Sequence, residues 1–202
     1  MRIKMSNPIW KIQEQGRLEM MTRDEALAML GAHGFTDSLL KHSLASEAVL
    51  EALAVRLGAD PALWGLTGLL HDLDYPETEA NPARHGLNSA QELADALPEE
   101  ALQAIRSHNG ECNGCQPSSQ FDYALRCGET VTGLISAAAL MRPTGYEGMS
   151  VKSIKKKMKD KAFAASVNRE NIKECAKAGI ELDDFLLLAI SAMAQQADNA
   201  HS

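Results

Sequence analysis

Helix-starting and helix-stopping residues recur along this chain at the spacing of short helices, and no stretch of useful length alternates polar with apolar as a strand would. Thr22 with Glu25 forms a capping box ahead of Ala26–Leu30, which Gly31 or Gly34 can end. Thr36 can cap a longer helix running to about Leu57, with Gly58 as its stop. Asp60 and Pro61 then supply an N-cap and a first helical residue for a third helix reaching His71. Asn81 and Pro82 repeat that opening before His85, Leu87, Ala90, Leu93 and Leu97, and Pro98 with Glu99 begins a helix ending near His108. Gly110–Ser119, rich in Gly, Asn, Pro and Ser, reads as a loop. A helix over about Phe121–Met141 is halted by Arg142–Pro143, and two more follow over Asn168–Ala178 and Leu182–Ala197. The expected class is all-α, with an N-terminal extension over residues 1–20 and one helical domain over residues 21–198.

Composition narrows the setting. A chain of 202 residues with 45% hydrophobic and 23% charged residues can bury one substantial core. A net charge of −7 argues against broad binding to nucleic-acid polymers. The first residues lack the apolar core of a signal peptide, and Phe185–Ala194 is far shorter than the roughly 20 residues that cross a bilayer. The expected setting is cytoplasmic, with no membrane partner. Four cysteines, irregularly spaced, do not make a disulfide framework. Cys112 and Cys115 form a lone CxxC with no second pair to complete a structural zinc site, and read as a local loop feature.

The chemistry lies in the histidines. His71 and Asp72 are adjacent, and neighbours on a regular helix point about 100° apart. Both can reach one ion only where the helix ends, and Asp74-Tyr75-Pro76 provides that break at once. His42 shares an inward stripe with Leu39, Val49 and Leu53. A lone histidine there is more often a hydrogen-bonded core residue. His85 and His108 fall near helix ends, and Glu129 lies in an otherwise apolar helix, where a buried acid needs a partner. Taken together these residues form a ligand set. Imidazole and carboxylate favour Mn, Fe, Co, Ni or Zn, with Mg also able to serve.

The ordered set His42, His71–Asp72 and a later acid, Glu129, resembles the signature of the HD superfamily of metal-dependent phosphohydrolases. The segments Glu129–Ile135, Ala139–Pro143 and Lys159–Phe163 with Arg169 are similar to its single-domain bacterial branch, and the likeness runs from about Thr36 to Ala194. The last ligand departs from the pattern, being Glu where that family usually has Asp. The resemblance implies an HD-domain, phosphodiesterase-like helical bundle. It also implies one ion held by His42, His71, Asp72 and Glu129, with Asp72 bridging to a second held by His85 and His108. One or two such divalent ions would attract a phosphate and lower the pKa of a bound water. The implied partner is a small phosphorylated substrate, a nucleotide being the first class to consider.

Asp74 could orient that water or protonate a leaving group, or it could simply end the helix; both readings stand. Arg84, next to His85, is a candidate for phosphate, as is Arg169. Between Ser150 and Lys161 run six lysines, from which Lys155 and Lys159 are candidates for an anionic substrate. A solvated face is the plainer reading of such a run. Two other classes of function share these residues: a di-iron HD-type oxygenase, and a non-catalytic binding module pinned by its metal.

Overall fold

The protein is described here from a computed structural model over residues 20–199, so the expected N-terminal extension lies almost wholly outside the described residues. Among the described residues the chain forms helices and no strands. The capping box is present: the Thr22 side chain accepts from the Glu25 N–H, and the Glu25 carboxylate accepts from the Thr22 N–H, opening α1 (Arg23–Ala32). Thr36 caps α2 (Asp37–Leu57), which ends at Gly58 in the left-handed conformation. Asp60 accepts from the Ala62 and Leu63 N–H groups to start α3 (Pro61–Leu70).

Helices α2 and α3 approach closely because Gly68 has no side chain. A Cβ there would stand 2.8 Å from the Ser46 carbonyl oxygen. This contact sets the α2 histidine against the end of α3. The chain then passes through α4 (Tyr75–Thr78), α5 (Leu87–Glu92), α6 (Glu99–His108) and α7 (Gly110–Asn113) to the long α8 (Gln120–Leu140). Helix α8 packs against α2, α3 and α6, with Gly128 seated on Leu50 and with Trp64 stacked on Phe121 at 4.6 Å. Fully buried Leu50, Leu53, Leu69, Leu125 and Leu134 form the centre, each contributing roughly 1.5–3 kcal/mol by leaving water. Helices α9 (Val151–Lys159), α10 (Arg169–Lys173), α11 (Cys175–Ala178) and α12 (Leu182–Asn199) close the far side. No helix among the described residues is long and apolar enough to cross a membrane.

Four expectations are corrected. The helix expected to open at Asn81–Pro82 begins only at Leu87, because residues 82–86 form turns and Gly86 adopts φ 81°. The carboxylate of Asp74 draws this segment in by accepting from the Gly86 and Ser89 N–H groups, so Asn81 caps nothing. The helix expected over Asn168–Ala178 breaks into α10 and α11 at Glu174. The lysine run, read as a charged stretch, and the start of the Gly110–Ser119 loop both contain helix. In α9 the run hides a stripe of Val151, Ile154 and Met158 that packs on the core.

Candidate metal centre

Each histidine is delivered by the local structure that carries it. His42 lies in the second turn of α2, His71 caps the C-terminus of α3, and Asp72 follows in the turn before α4. His85 comes from the turn before Gly86, His108 is the last residue of α6, and Glu129 lies in the middle of α8. The helix end at His71 resolves the adjacency problem, since Asp72 no longer follows the helical screw. Asp72 Oδ1 is 3.3 Å from His71 Nε2, 3.2 Å from His85 Nε2 and 3.5 Å from His108 Nε2. Asp72 Oδ2 is 3.5 Å from His42 Nε2. Two sets of donors are therefore close enough to share an ion: His42, His71 and Asp72, and Asp72, His85 and His108.

The ring protons decide what this cluster wants. His71 Nδ1 lies 2.8 Å from the Gly68 carbonyl and His108 Nδ1 lies 2.6 Å from that of Ile105, so each Nδ1–H donates there. His85 Nδ1 donates to Asp74 Oδ1 at 2.8 Å. Thr132 gives its hydroxyl proton to the Glu129 carbonyl, which leaves Thr132 Oγ1 to accept from His42 Nδ1 at 2.9 Å. With all four rings neutral, the four Nε2 atoms present lone pairs. Two such pairs face each other at 3.2 Å (His42, His71) and at 3.0 Å (His85, His108). Lone pairs that close repel unless a proton or a metal cation lies between them, and fixing one ring nitrogen so that the other can ligate is what metal sites require. The residues fit divalent ions.

Electrostatics agree for His42 and His71, and for His85 only with a cation on Asp72. Burial pushes His71 down to about 3 and lowers His42, which keeps both neutral. Burial alone would raise Asp72, but the surrounding imidazoles hold it well below the usual carboxylate range. Burial also disfavours a charged His85, yet Asp72 and Asp74 outweigh it and lift that ring to about 9. A cation on Asp72 would reverse this preference. Burial pushes the Glu129 carboxyl up to about 8, so it is uncharged at neutral pH without a cation beside it. Its Oε2 lies 3.9 Å from His42 Nε2, on the fringe of the first donor set. Shortening it by one methylene withdraws it further, so Glu129→Asp is expected to bind metal no better than Glu129→Ala in a competition titration. Affinity at or above that of the parent protein would show that the carboxylate does not need its length.

Asp74 faces away from the donors. Its two oxygens accept from His85 Nδ1 and from the Gly86 and Ser89 N–H groups, so it lies behind His85 rather than facing the cluster. Asp74→Asn puts an NH2 group among those donors, and a loss of roughly 10–100-fold in metal affinity is expected. Unchanged affinity would deny Asp74 this orienting role.

The cleft over the centre, about 530 Å³, opens past Tyr75, Asn109, Glu111, Asn168 and Asn171. None of the four basic candidates is among the residues lining it. Arg84 is exposed and turns to Asn88 Oδ1, one helical turn on. Lys155 pairs with Asp183 of α12 at 2.7 Å, and Lys159 is exposed at the end of α9. Arg169 donates to the carbonyls of Phe163, Ala164 and Val167, which ties that segment into the wall of the cleft. Cys112 and Cys115 carry free thiols, with Cys112 on the cleft rim, and neither joins a possible metal group among the described residues.

The sequence reading missed Arg126. This buried guanidinium donates to the carboxylates of Glu111 and Glu174, the Ser107 carbonyl and Asn171 Oδ1, and so binds α8 to the end of α6, to α7, to α10 and to the residue joining α10 to α11. An Arg three residues before a Glu in an apolar helix was the available signal.

With this geometry in place, comparison with known families is decisive. The HD-domain profile matches residues 39–141, half of the chain, and that span contains every histidine of the cluster and Glu129. The chain belongs to the HD-domain family. No match was found among curated proteins or among solved structures. HD domains are in general metal-dependent hydrolases, and the His/Asp groups of this one can hold a metal ion.

Proposed function

We propose that this HD domain is a phosphohydrolase acting on a small phosphorylated molecule, as a phosphomonoesterase or phosphodiesterase, with nucleotides the first class to test. The support that weighs most is Asp72, shared by two donor sets whose four Nε2 lone pairs all converge. One or two divalent ions from Mn, Fe, Co, Ni, Zn or Mg would supply electrophilic charge for a phosphoryl oxygen and a water of lowered pKa. The protein residues would hold that charge in place. Asp72 spans the halves, His42 and His71 form one wall, and His85 and His108 form the other. Asp74 steadies His85 from behind, and the cleft admits substrate from one side.

Metal analysis of protein purified without added salts, followed by phosphatase and phosphodiesterase assays with Mn, Co and Mg, tests this reading. Metal-stimulated phosphate release is the expected result, and its absence across that panel would overturn it. A second reading, a di-iron oxygenase, is favoured by one observation: four imidazoles surround a single carboxylate shared by two donor sets, a nitrogen-rich set that suits iron. Iron as the resident metal, with oxygen uptake and no phosphate release, would select it.

A further inference from the structure

We infer that Asn168 and Asn171 are specificity-determining residues, and that the substrate is a phosphomonoester with a neutral, hydroxylated body rather than a polyphosphate. This inference rests on the phosphohydrolase reading for what happens at the ions, but its argument comes from the wall of the cleft that faces them.

The two amides are one turn apart, and the protein fixes which end of each is spoken for. Asn171 Oδ1 accepts from Arg126 Nη2 at 3.1 Å, and Arg126 can only donate, so the amide cannot flip without setting NH2 against guanidinium. Asn168 Oδ1 accepts from the Glu170 N–H at 3.0 Å as the cap of α10, which fixes it in the same sense. Each side chain thus has its acceptor occupied and its NH2 available, and both residues line the cleft. Such donors suit hydroxyl or carbonyl oxygens.

Charge sets the other limit. Among the described residues lining the cleft there is no Lys or Arg. The acid Glu111 at its edge is already held by Arg126. Arg84, Lys155 and Arg169 are committed elsewhere. Any positive charge offered to a substrate here would come from ions held by the histidines and Asp72, and these would engage one phosphoryl group. Second and third phosphates would lie among amides and carboxylates with no counter-charge, at a cost in desolvation. A volume near 530 Å³ is ample for one phosphate and a sugar or nucleoside. Tyr75, its ring 5.4 Å from that of His85, offers an apolar face to such a body.

The test uses the metal-loaded protein and calorimetric binding of ribose 5-phosphate, a nucleoside 5′-monophosphate, and the matching di- and triphosphates. Both monophosphates are expected to bind at least tenfold more tightly than the triphosphate. A nucleoside monophosphate that binds more tightly than ribose 5-phosphate assigns the body to a nucleoside, and the reverse assigns it to a sugar. Asn168→Ser keeps a cap and removes the NH2 without adding charge, and it is expected to weaken ribose 5-phosphate by about 3–10-fold, the value of one hydrogen bond. Asn171→Asp keeps a partner for Arg126 and should weaken it further, with metal content and circular dichroism unchanged in both. Triphosphate binding as tight as monophosphate binding, no measurable monophosphate binding, or indifference to both substitutions would overturn the inference. Asparagine-dependent binding without turnover would instead sink the hydrolase reading and leave this one standing.

Discussion

Asp72→Ala is expected to abolish metal binding and every metal-dependent activity while leaving the helical circular dichroism intact. Asp72 is the one residue that belongs to both donor sets, and its two oxygens lie within 3.5 Å of four imidazole nitrogens. Removing it leaves two separate histidine pairs, with Glu129 at the edge of one, and takes away the anion that balances any bound cation. The loss should exceed the roughly 10–100-fold that removal of an outer partner costs. His71→Ala removes a ligand from one set only, so a residual ion on Asp72, His85 and His108 is expected there. The fold survives in both cases because α2 and α3 are held by the Gly68 contact and by Leu50, Leu53 and Leu69, none of which touches the carboxylate's role. Metal content by mass spectrometry, turnover and circular dichroism on the same preparations provide the check. Unchanged turnover in Asp72→Ala would refute the metal-centre assignment.

The clustering of His42, His71, Asp72, His85 and His108 was legible because it obeys local rules. An adjacent His-Asp pair can converge only at a helix end, and Asp74-Tyr75-Pro76 announces one. The caps at Thr22, Thr36 and Asp60 are local as well, and they stand where the residues indicate. The basic residues were not legible, because charge says nothing of direction. Lys155 finds Asp183 in a helix 28 residues away, and Arg169 spends its donors on backbone carbonyls. Asp74 shows the same limit. Its place beside the His-Asp pair left work at the reacting atoms open, but the turn carries its side chain under His85, where the His85 Nδ1–H takes Oδ1 and the Gly86 and Ser89 N–H groups take Oδ2. Hydrophobic periodicity failed in α9 for a different reason: only Val151, Ile154 and Met158 mark its buried face, and a run of lysines surrounds them.

The same turn yields the second large effect. Gly86→Ala is expected to disable the His85/His108 half of the centre and spare the His42/His71 half. Gly86 adopts φ 81°, where a residue with a Cβ is strained by about 1 kcal/mol. Space adds a larger penalty: a Cβ would stand 2.7 Å from the Ile105 carbonyl oxygen and 3.1 Å from His108 Cε1. That oxygen is the acceptor that fixes the His108 Nδ1 proton, so the new methyl group pushes on both the ring and the bond that sets its tautomer. Relief requires the turn to lift away, but the Gly86 N–H is tied to Asp74, which also holds His85 and Ser89. Any movement therefore displaces the second ligand too. An unfolding cost of roughly 2–4 kcal/mol is expected, together with a fall in metal stoichiometry toward the ion on His42, His71 and Asp72. Chemical denaturation and metal titration measure the two effects separately. A variant that keeps the parent stoichiometry would mean that the α6 end yields without cost, and that His108 is not held by the contact described.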